Sequence, residues 1–482
     1  MENSSINKKD NIVIIGAGIP GIFSALYLSN LFPRKSIHII ESSSKIGGLY
    51  NSISDPIGGT FDKGMHIIYE TCIKEIDDLI RNSMPDNEWI FLEGNSKDIA
   101  GVYHNGILEK DSPYMHINSV GKRRLNTCQS ELFKSLENQS PTFKDCNNAF
   151  EFYEKRFGFS TTKYLIEPVI KKLWNMPLKK LHPASTRIVL MDRLRMFSKN
   201  ATLDLMKSEL IRSRIAFPNQ MELDLKYRNN QRGLYPKNFG MSNLISALEK
   251  KLNDAGVTIH KGSEIISIHK KDDYINSIKF KTNKNNLTIN DIHLLHSTVS
   301  SSKLLRLFDL NLDNFAYDKN LEQSYTFMLL KEPPNMDKLY YYFCFQKNMK
   351  TYRVTDYTAY CPSAKRNLKS LYEGDLWPIC VELHYKNKVP KKEKIVRDAT
   401  KELLLTKVIK SKKQVIFSRV EPAGGFPVLS IKNCKLIEKS NEKLNDLNIK
   451  NLLLAGQSPE KGIFFLHDIL KNIYELINNY TN

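Results

Sequence analysis

The chain reads Asn11-Ile-Val-Ile-Ile-Gly-Ala-Gly-Ile-Pro-Gly21 in its first apolar segment. The run of β-branched residues predicts a buried β-strand, and it leads directly into the spacing G-x-G-x-x-G. A helical pattern follows over residues 22–31, and a second apolar run ends at Glu41. This order of strand, glycine turn, helix, strand and acid predicts the first half of a dinucleotide-binding Rossmann unit.

There is a structural reason for each residue type in this motif. Gly16 allows the tight turn, Gly18 lets a pyrophosphate approach the backbone, and Gly21 lets the helix pack close to the strand. The free N–H groups and the dipole at the helix N-terminus attract phosphate. Glu41 stands where a carboxylate can hold a ribose hydroxyl. The alternative is a glycine-rich turn in another α/β fold, and the surrounding strand, helix and acid argue against it.

A glycine pair, Gly47 and Gly48, follows this acid, and the segment Phe61-Asp-Lys-Gly64-Met-His66 comes next. With these segments the sequence resembles the flavin-containing amine oxidase superfamily, which includes protoporphyrinogen oxidase, phytoene desaturase and UDP-galactopyranose mutase. The resemblance implies FAD as the cofactor, since FAD and NAD share the fold and the first glycines do not choose between them. It also implies that the glycine pair contacts the FAD pyrophosphate and that Gly64 and His66 run beneath the isoalloxazine ring.

Further segments extend the resemblance along most of the chain. It assigns a backbone contact with the adenine end of FAD to Ile265. It assigns the cover over the flavin pyrimidine and ribityl chain to the turn at Gly456 and Gln457, which follows an apolar strand. Two positions depart from the family pattern. Leu49 stands where an arginine often follows the glycine pair, and Gln457 stands where the family usually has arginine or aspartate.

These observations predict an α/β fold with a Rossmann-type FAD-binding domain and a discontinuous α+β substrate-binding domain. We expect the FAD-binding domain to gather residues 1–70, 233–304 and 446–482. The substrate domain is expected to gather residues 71–232, which look mainly helical, and residues 305–445, which alternate apolar and polar residues as a sheet does.

The composition limits the classes of protein and of partner that are compatible with this chain. The chain has 482 residues, of which 41% are hydrophobic, and a mean hydropathy of −0.39, as expected for a soluble globular protein. Its net charge of +19 permits an acidic partner, namely nucleic acid, anionic lipid or a phosphorylated substrate. Lysine accumulates together with asparagine and isoleucine throughout, which indicates compositional bias, and no basic motif interleaved with aromatics favours nucleic acid. Peripheral membrane contact stays open.

Two further patterns bear on location. Residues 12–32 carry no charge and are long enough to span a bilayer, but glycines and Pro20 interrupt them at turn positions. We therefore predict a buried strand and helix there, and no transmembrane segment. The seven cysteines are scattered and never stand in C-x-x-C spacing, which predicts reduced thiols, a cytoplasmic location and no zinc site.

The segments Leu339-Tyr-Tyr-Tyr342-Phe and Tyr-Arg353-Val-Thr bear on the substrate. They resemble a pattern of the eukaryotic-type UDP-galactopyranose mutases, in which the arginine helps to hold the UDP pyrophosphate. Arg353 is the match, and a guanidinium suits a diphosphate better than an ammonium does. Tyr342 and Arg419 complete the predicted substrate-binding set as a stacking ring and a second cation. Alternatively, the tyrosines cover two faces of a sheet and Arg353 pairs with a structural carboxylate.

Three functions are open at this point. The favoured one is a FAD-dependent oxidoreductase in which hydride passes from a small-molecule substrate to the flavin. The alternative is a mutase-like isomerase that acts on a nucleotide sugar with no net redox change. A binding module with a decayed flavin site is supported only by Leu49 and Gln457. No catalytic residue is assigned, because His66 is expected to be a hydrogen-bonded histidine packed against the flavin, and no metal site is predicted.

Overall fold

The structure is a computed structural model that describes residues 10–97, 99–137, 141–188, 191–228, 231–283, 285–308, 310, 315–319, 321–386, 388–423 and 428–481. The strands, in chain order, are β1 (Asn11–Ile15), β2 (Ser36–Ile40), β3 (Ile53–Asp55), β4 (Gly59–Phe61), β5 (Ile68–Tyr69), β6 (Trp89–Leu92), β7 (Ala100–His104), β8 (Ile107–Glu109), β9 (Gly233–Pro236), β10 (Thr258–His260), β11 (Glu264–Lys271), β12 (Tyr274–Lys281), β13 (Asn286–Ile289), β14 (Ile292–Ser297), β15 (Glu322–Leu330), β16 (Tyr341–Cys344), β17 (Thr351–Asp356), β18 (Arg366–Asn367), β19 (Asp375–Tyr385), β20 (Val415–Ala423) and β21 (Leu452–Leu454).

The helices are α1 (Ile19–Leu31), α2 (Lys74–Arg81), α3 (Lys122–Ser135), α4 (Ala149–Phe157), α5 (Phe159–Thr161), α6 (Glu167–Trp174), α7 (Lys199–Leu205), α8 (Glu209–Arg212), α9 (Ser242–Asp254), α10 (Ser301–Leu307), α11 (Tyr357–Tyr360), α12 (Lys392–Leu405), α13 (Ile431–Asn445) and α14 (Leu466–Thr481). A π-helical turn, Thr162–Ile166, joins α5 to α6.

A five-stranded parallel sheet carries the glycine turn. Its strand order is β10-β2-β1-β14-β21, and every neighbouring pair is parallel. Residues 12–14 of β1 are fully buried, because helices and strands cover both faces of a parallel sheet. This explains why the first strand reads as a continuous apolar run. The strands come from all three ranges predicted for the FAD-binding domain, and the limits of that domain stay a prediction.

Each face of this sheet has its own core. On one face, α1 contacts α9 and α14, and isoleucines of α14 such as Ile473 pack with Ile22. On the other face, the antiparallel sheet β11-β12-β13, α10 and α13 form a core that contains Val13, Phe280 and Leu444. Leu444 belongs to α13, which lies in the range 305–445 that the sequence predicts for the substrate domain. The chain therefore returns to the Rossmann core before residue 446.

A larger sheet faces the Rossmann unit, with the strand order β20-β15-β19-β17-β16-β7-β8. Strands β16 and β7 pair in parallel, and the other neighbours are antiparallel. The range 71–232 is thus not only helical, because it supplies β7 and β8 to this sheet. The turn between them is Asn105-Gly106, with φ of +51° and +79°, and an Asn-Gly pair between apolar runs is a strong hairpin signal.

Strand β16 shows how this sheet divides its side chains. Tyr341 and Phe343 pack towards the helical core that contains Phe345, whereas Tyr342 and Cys344 pack in the core that α12 covers. Successive side chains of a strand point to opposite faces, so the choice of face at one residue fixes it for the next.

Two findings concern the length of the helices and the state of the cysteines. Among the described residues, none of the helices combines the length and the apolar character that crossing a membrane requires. All seven cysteines lie in described segments and are unpaired, and only Cys72 is exposed.

Candidate flavin and substrate site

The glycine turn (residues 16–21) links β1 to α1 and uses its glycines differently. Gly16 has φ +97°, and a Cβ there would lie 2.6 Å from Thr298 Oγ1. A Cβ on Gly21 would overlap the carbonyl oxygen of Gly16. In contrast, a Cβ on Gly18 would meet only Pro20 Cδ, at 3.5 Å. The fold itself needs Gly16 and Gly21, whereas Gly18 leaves open space above the turn.

The second glycine pair lies directly against this turn. Gly47 N donates to Ala17 O at 2.7 Å, and a Cβ on Gly48 would lie 3.5 Å from Gly18 Cα. Lys63 Nζ donates to Gly48 O at 3.1 Å, so a cation reaches the pair although Leu49 replaces the family arginine. The structure thus brings both glycine motifs together and adds a positive charge beside them, which suits a pyrophosphate.

Glu41 turns its carboxylate towards the same turn. Its Oε2 accepts from Ala17 N at 2.7 Å, and its Oε1 accepts from Ser43 N at 2.7 Å. Ser263 N donates to the Glu41 carbonyl oxygen at 2.8 Å, which ties the start of β11 to the end of β2. Ile265 therefore lies two residues from the contact with Glu41 and is half-buried.

The C-terminal turn meets the glycine turn at the carboxyl end of the sheet. Gly456 has φ +138°, and a Cβ there would lie 2.8 Å from Thr298 O. Thr298 Oγ1 in turn donates to Ile15 O at 2.8 Å. Gln457 Nε2 donates to Phe464 O at 3.3 Å. The ends of β1, β14 and β21 thus converge, which is where parallel α/β sheets bind their ligands.

The segment from Gly64 to His66 lies at a large cavity, and Met65 and His66 form part of the cavity wall. Gly64 has φ +83°, and a Cβ there would lie 2.6 Å from Glu382 Oε1 and 2.9 Å from Arg353 Nη2. The His66 ring packs edge-to-face on Tyr50 at 4.9 Å, and its buried Nδ1 has no hydrogen-bond partner among the described residues. Such an unsatisfied nitrogen indicates a missing polar partner, because buried polar atoms are nearly always hydrogen-bonded.

The electrostatics of the wall keep His66 neutral. Burial, together with the charges of Arg353 and Lys63, lowers the pKa of His66 to about 3. An imidazole with this pKa stays uncharged at neutral pH and can offer a hydrogen bond, but it does not hold a proton for transfer.

This shift predicts a pH-dependent difference in stability. The unfolded His66 titrates near about 6.5, whereas the folded one does not, so folding releases a proton and the stability falls as pH drops below about 6.5. In flavin-free protein, His66→Gln should reduce the loss of unfolding free energy between pH 7 and pH 5 by about 1–2 kcal/mol relative to wild type. Urea denaturation at both pH values measures this. His296 and His384, also shifted down, remain in both proteins and cancel; an unchanged pH dependence would contradict the assignment.

The residues present fit FAD. Gly18 leaves open space that a side chain would fill. At the opposite end of the predicted FAD site, the buried His66 Nδ1 has no hydrogen-bond partner among the described residues. The turn at Gly16 and Gly18, the pair Gly47 and Gly48, and the carboxylate of Glu41 are the groups that would hold the dinucleotide. The turn at Gly456 and Gln457 would close the site. These assignments remain a prediction.

A cavity of about 890 Å³ opens on the other side of His66. This is at the upper end of the range of about 300–1,000 Å³ for small-molecule sites. Its charged lining is cationic apart from Glu93 and comprises Lys97, Arg187, Arg193, Arg228, Arg232 and Arg353. Its aromatic lining comprises Tyr50, Tyr69, Tyr114, Tyr227, Tyr341, Phe343, Tyr352, Phe464 and Phe465. The cavity can therefore receive a large molecule that has flat rings and acidic groups.

Arg353 satisfies both interpretations that its motif left open. Its Nε lies 2.5 Å from Glu382 Oε1, and the side chains are 18% and 2% exposed, respectively. It also lines the cavity beside Tyr341 and Tyr352, whose ring centroids lie 5.8 and 6.0 Å from its guanidinium carbon. Burial acts to lower the pKa of Arg353, but the field of Glu382 outweighs it and raises the pKa, so this arginine stays charged.

The structure locates Tyr342 and Arg419 away from the cavity. Tyr342 is fully buried on the other face of β16, and its hydroxyl donates to Thr406 Oγ1 at 3.1 Å. Arg419 pairs with Asp55 at 2.9 Å and with Glu421, and it does not line the cavity. The correction for Tyr342 follows from strand alternation, which turns Tyr341 to the cavity instead. Arg419 is held by Glu421 on its own strand, β20, and by Asp55 at the end of β3.

Comparisons with known proteins agree with this geometry. A family model for the NAD(P)-binding Rossmann-like domain matches residues 14–79. Coproporphyrinogen III oxidase of Staphylococcus aureus (strain NCTC 8325 / PS 47) is 26% identical over 278 residues, which are 54% of this chain and 54% of that protein. The protein of the same name in Bacillus subtilis (strain 168) is 23% identical over 190 residues, 37% of this chain and 39% of that protein. The chain thus matches about half of these curated relatives, or less.

Solved structures resemble the chain over nearly its whole length. Reduced UDP-galactopyranose mutase covers 98% of this chain and 95% of its own, with a TM-score of 0.72 and 19% identity. A putative protoporphyrinogen oxidase from Exiguobacterium sp. 255-15 covers 98% of both chains, with a TM-score of 0.65 and 15% identity. The chain shares the amine-oxidase-like α/β fold of these proteins over almost its whole length, and the predicted fold class is confirmed.

Most cavity residues of this amine-oxidase-like fold escaped the sequence analysis. Arg193, Arg228 and Arg232 stand in irregular segments and Arg187 in a short 3₁₀-helix, where no long periodicity marks the face that a side chain takes. The position of Tyr341 on the sheet face opposite to Tyr342 could be predicted, because side chains alternate along a strand. Among the described residues, no group of three or more His, Cys, Asp or Glu side chains is arranged to hold a metal ion.

Proposed function

We propose that the chain is a FAD-dependent oxidoreductase that oxidises a large anionic substrate bound in the cavity beside His66. The observation that carries this proposal is the cavity itself, which is wide, aromatic and cationic and is lined by Met65 and His66 of the predicted flavin segment. The relatives and structural neighbours are named as oxidases or as a mutase, and an enzyme is the consistent interpretation.

The lining favours a substrate with several rings and several acids. Aromatic walls such as Tyr341 and Phe343 stack on flat rings, and arginines recognise carboxylates or phosphates. Coproporphyrinogen III, named for the relatives, is a cyclic tetrapyrrole with propionate groups on its rim. A molecule of this class meets both features of the cavity. We therefore rank an acidic porphyrinogen first among the substrates.

The residues of the chain have distinct tasks in this proposal. When bound, FAD supplies the acceptor for a hydride. His66, which is neutral, offers a hydrogen-bonding nitrogen at the wall, while Arg353 and Glu382 support the backbone at Gly64. The aromatic side chains orient the substrate and exclude water from it. No residue of the cavity is assigned as a general base.

Purified protein should show flavin absorbance, and denaturation should release the flavin into the supernatant because we propose that it is bound non-covalently. Mixing with coproporphyrinogen III without oxygen should bleach this absorbance, and air should restore it. A protein that carries no flavin after reconstitution with FAD would contradict the cofactor assignment. Flavin that no porphyrinogen bleaches would contradict the proposed substrate class.

A second candidate is a mutase-like reaction on a nucleotide sugar. Arg353, Tyr341 and Tyr352 line the cavity together, and the reduced UDP-galactopyranose mutase resembles the chain over 98% of its length. UDP-galactopyranose should then perturb the flavin spectrum of the reduced protein and be isomerised without consumption of reductant. Arg353→Lys should recover only part of the binding that Arg353→Ala loses, since an ammonium cannot reproduce the guanidinium fork. A response to UDP-sugars together with none to porphyrinogens would select this reaction.

We also propose a cytoplasmic location, which the unpaired thiols support. Peripheral membrane contact, which the net charge left open, finds no support in the part of the chain that the structure describes.

A further inference from the structure

The arginines of the cavity differ in what neutralises them. Three of them form hydrogen-bonded ion pairs with a carboxylate of the fold itself, so each of these pairs contributes little net charge to the cavity. The pairs are Arg353 with Glu382, Arg232 with Glu70 at 2.5 and 2.8 Å, and Arg187 with Asp468 at 2.8 and 2.9 Å. An acidic substrate must therefore find its positive partner elsewhere in the lining.

Arg228 is held in a different way. Its Nε donates to Leu223 O at 2.8 Å, its Nη1 donates to Gly94 O and Asn95 Oδ1 at 2.9 and 3.0 Å, and its Nη2 donates to Met221 O at 2.7 Å. All of these acceptors are neutral oxygens. Among the described residues, no carboxylate lies within ion-pair distance of Arg228. The guanidinium is thus fixed in position while its charge remains uncompensated.

The neighbouring charges do not change this conclusion. Glu93 also lines the cavity, and its field acts on Arg232, where it adds to the hydrogen bonds of Glu70 in raising the pKa. Arg193 donates to the hydroxyl of Tyr114 at 2.5 Å, and its Nε lies 3.8 Å from Asp192 Oδ2, so a carboxylate offsets part of its charge. A cation that is immobilised before the ligand arrives binds an anion without a further loss of side-chain entropy.

We propose that Arg228 determines specificity by anchoring an acidic group of the substrate, a carboxylate in the case of a porphyrinogen. This assignment rests on the proposed function of the cavity. The sequence motif, in contrast, predicted that Arg353 binds the anionic part of the substrate. That arginine already has a carboxylate partner, whereas Arg228 has only neutral ones.

Asn95 offers a substitution that tests the charge without removing the arginine. Asn95→Asp would place a carboxylate on the guanidinium at the present hydrogen-bond position, and Asn95 does not line the cavity. Arg228→Gln removes the charge directly. Lys226→Gln is the matched control, because it removes one positive charge two residues away, from a side chain that is 65% exposed and outside the cavity lining.

The probes are coproporphyrin III and its tetramethyl ester, which has the same ring without acidic groups. Binding to the flavin-loaded protein is followed by the change in flavin fluorescence. Arg228→Gln and Asn95→Asp should each weaken binding of the acid by about tenfold or more and leave binding of the ester within twofold. Lys226→Gln should match wild type with both probes. If Arg228→Gln does not fold, Asn95→Asp carries the test, since it keeps every hydrogen bond.

Two failures are distinguishable. If wild type binds the acid and both variants bind it equally well, Arg228 is not the anchor and the inference is overturned, while the proposed function stands. If wild type binds neither porphyrin, the porphyrinogen assignment fails. The same variants are then titrated with UDP, and undiminished UDP binding, or no UDP binding by wild type, also overturns the inference.

Discussion

Gly18→Val should give a folded protein that purifies without flavin. Gly18 has φ −67° and ψ 171°, which a valine adopts without strain, and the nearest atom to a new Cβ is Pro20 Cδ at 3.5 Å. The added side chain would fill the open space above the turn, where the pyrophosphate is proposed to lie. We expect a flavin content below about a tenth of the wild-type value, since the side chain removes the close backbone approach. Absorbance of the purified protein and its melting curve measure both properties.

Gly21→Ala is the contrasting variant at the same turn. Its Cβ would overlap the carbonyl oxygen of Gly16, so helix α1 must move away from β1. We expect a loss of unfolding free energy of about 3 kcal/mol, at the upper end for overpacking. Measured on flavin-free proteins, the two substitutions should therefore separate, with Gly18→Val near wild type and Gly21→Ala destabilised. Full FAD occupancy in Gly18→Val would show that the pyrophosphate does not bind at this turn.

Arg353→Ala should destabilise the protein by about 3 kcal/mol at pH 8, because it leaves the Glu382 carboxylate buried without its partner. Burial already raises the pKa of Glu382, and the charge and hydrogen bond of Arg353 oppose that shift. Without the arginine, the folded state takes up a proton that the unfolded state releases above about pH 4.3. The variant should therefore lose stability as pH rises and regain part of it as pH falls from 8 to 5.

A double variant separates the ion pair from other contacts of Arg353. In Arg353→Ala/Glu382→Gln no charge is left buried, so most of the lost stability should return and its pH dependence should resemble that of wild type. Urea denaturation of flavin-free proteins at pH 5 and 8 gives these values without involving any substrate. Equal destabilisation at both pH values would show that packing, rather than the unpaired carboxylate, accounts for the effect of Arg353→Ala.

The sequence by itself determined the features that depend on neighbours along the chain. The turn needs a residue without Cβ at Gly16 and at Gly21, within a few positions of a strand and a helix, and such a constraint is visible locally. The same holds for the pair Gly47 and Gly48. The Asn-Gly hairpin between β7 and β8 is an equally local signal. It lies within residues 71–232, which the sequence analysis predicts to be mainly helical.

Only the tertiary structure decided which side chains meet in the cavity. Arg353 and Glu382 come together because β17 and β19 are neighbours, and register, not sequence spacing, sets that pairing. Tyr341 rather than Tyr342 faces the cavity because the sheet presents that face to it. The position of the Arg228 guanidinium depends on acceptors from distant segments, such as Gly94 O. Burial and long-range pairing depend on the whole fold, so no local pattern contains them.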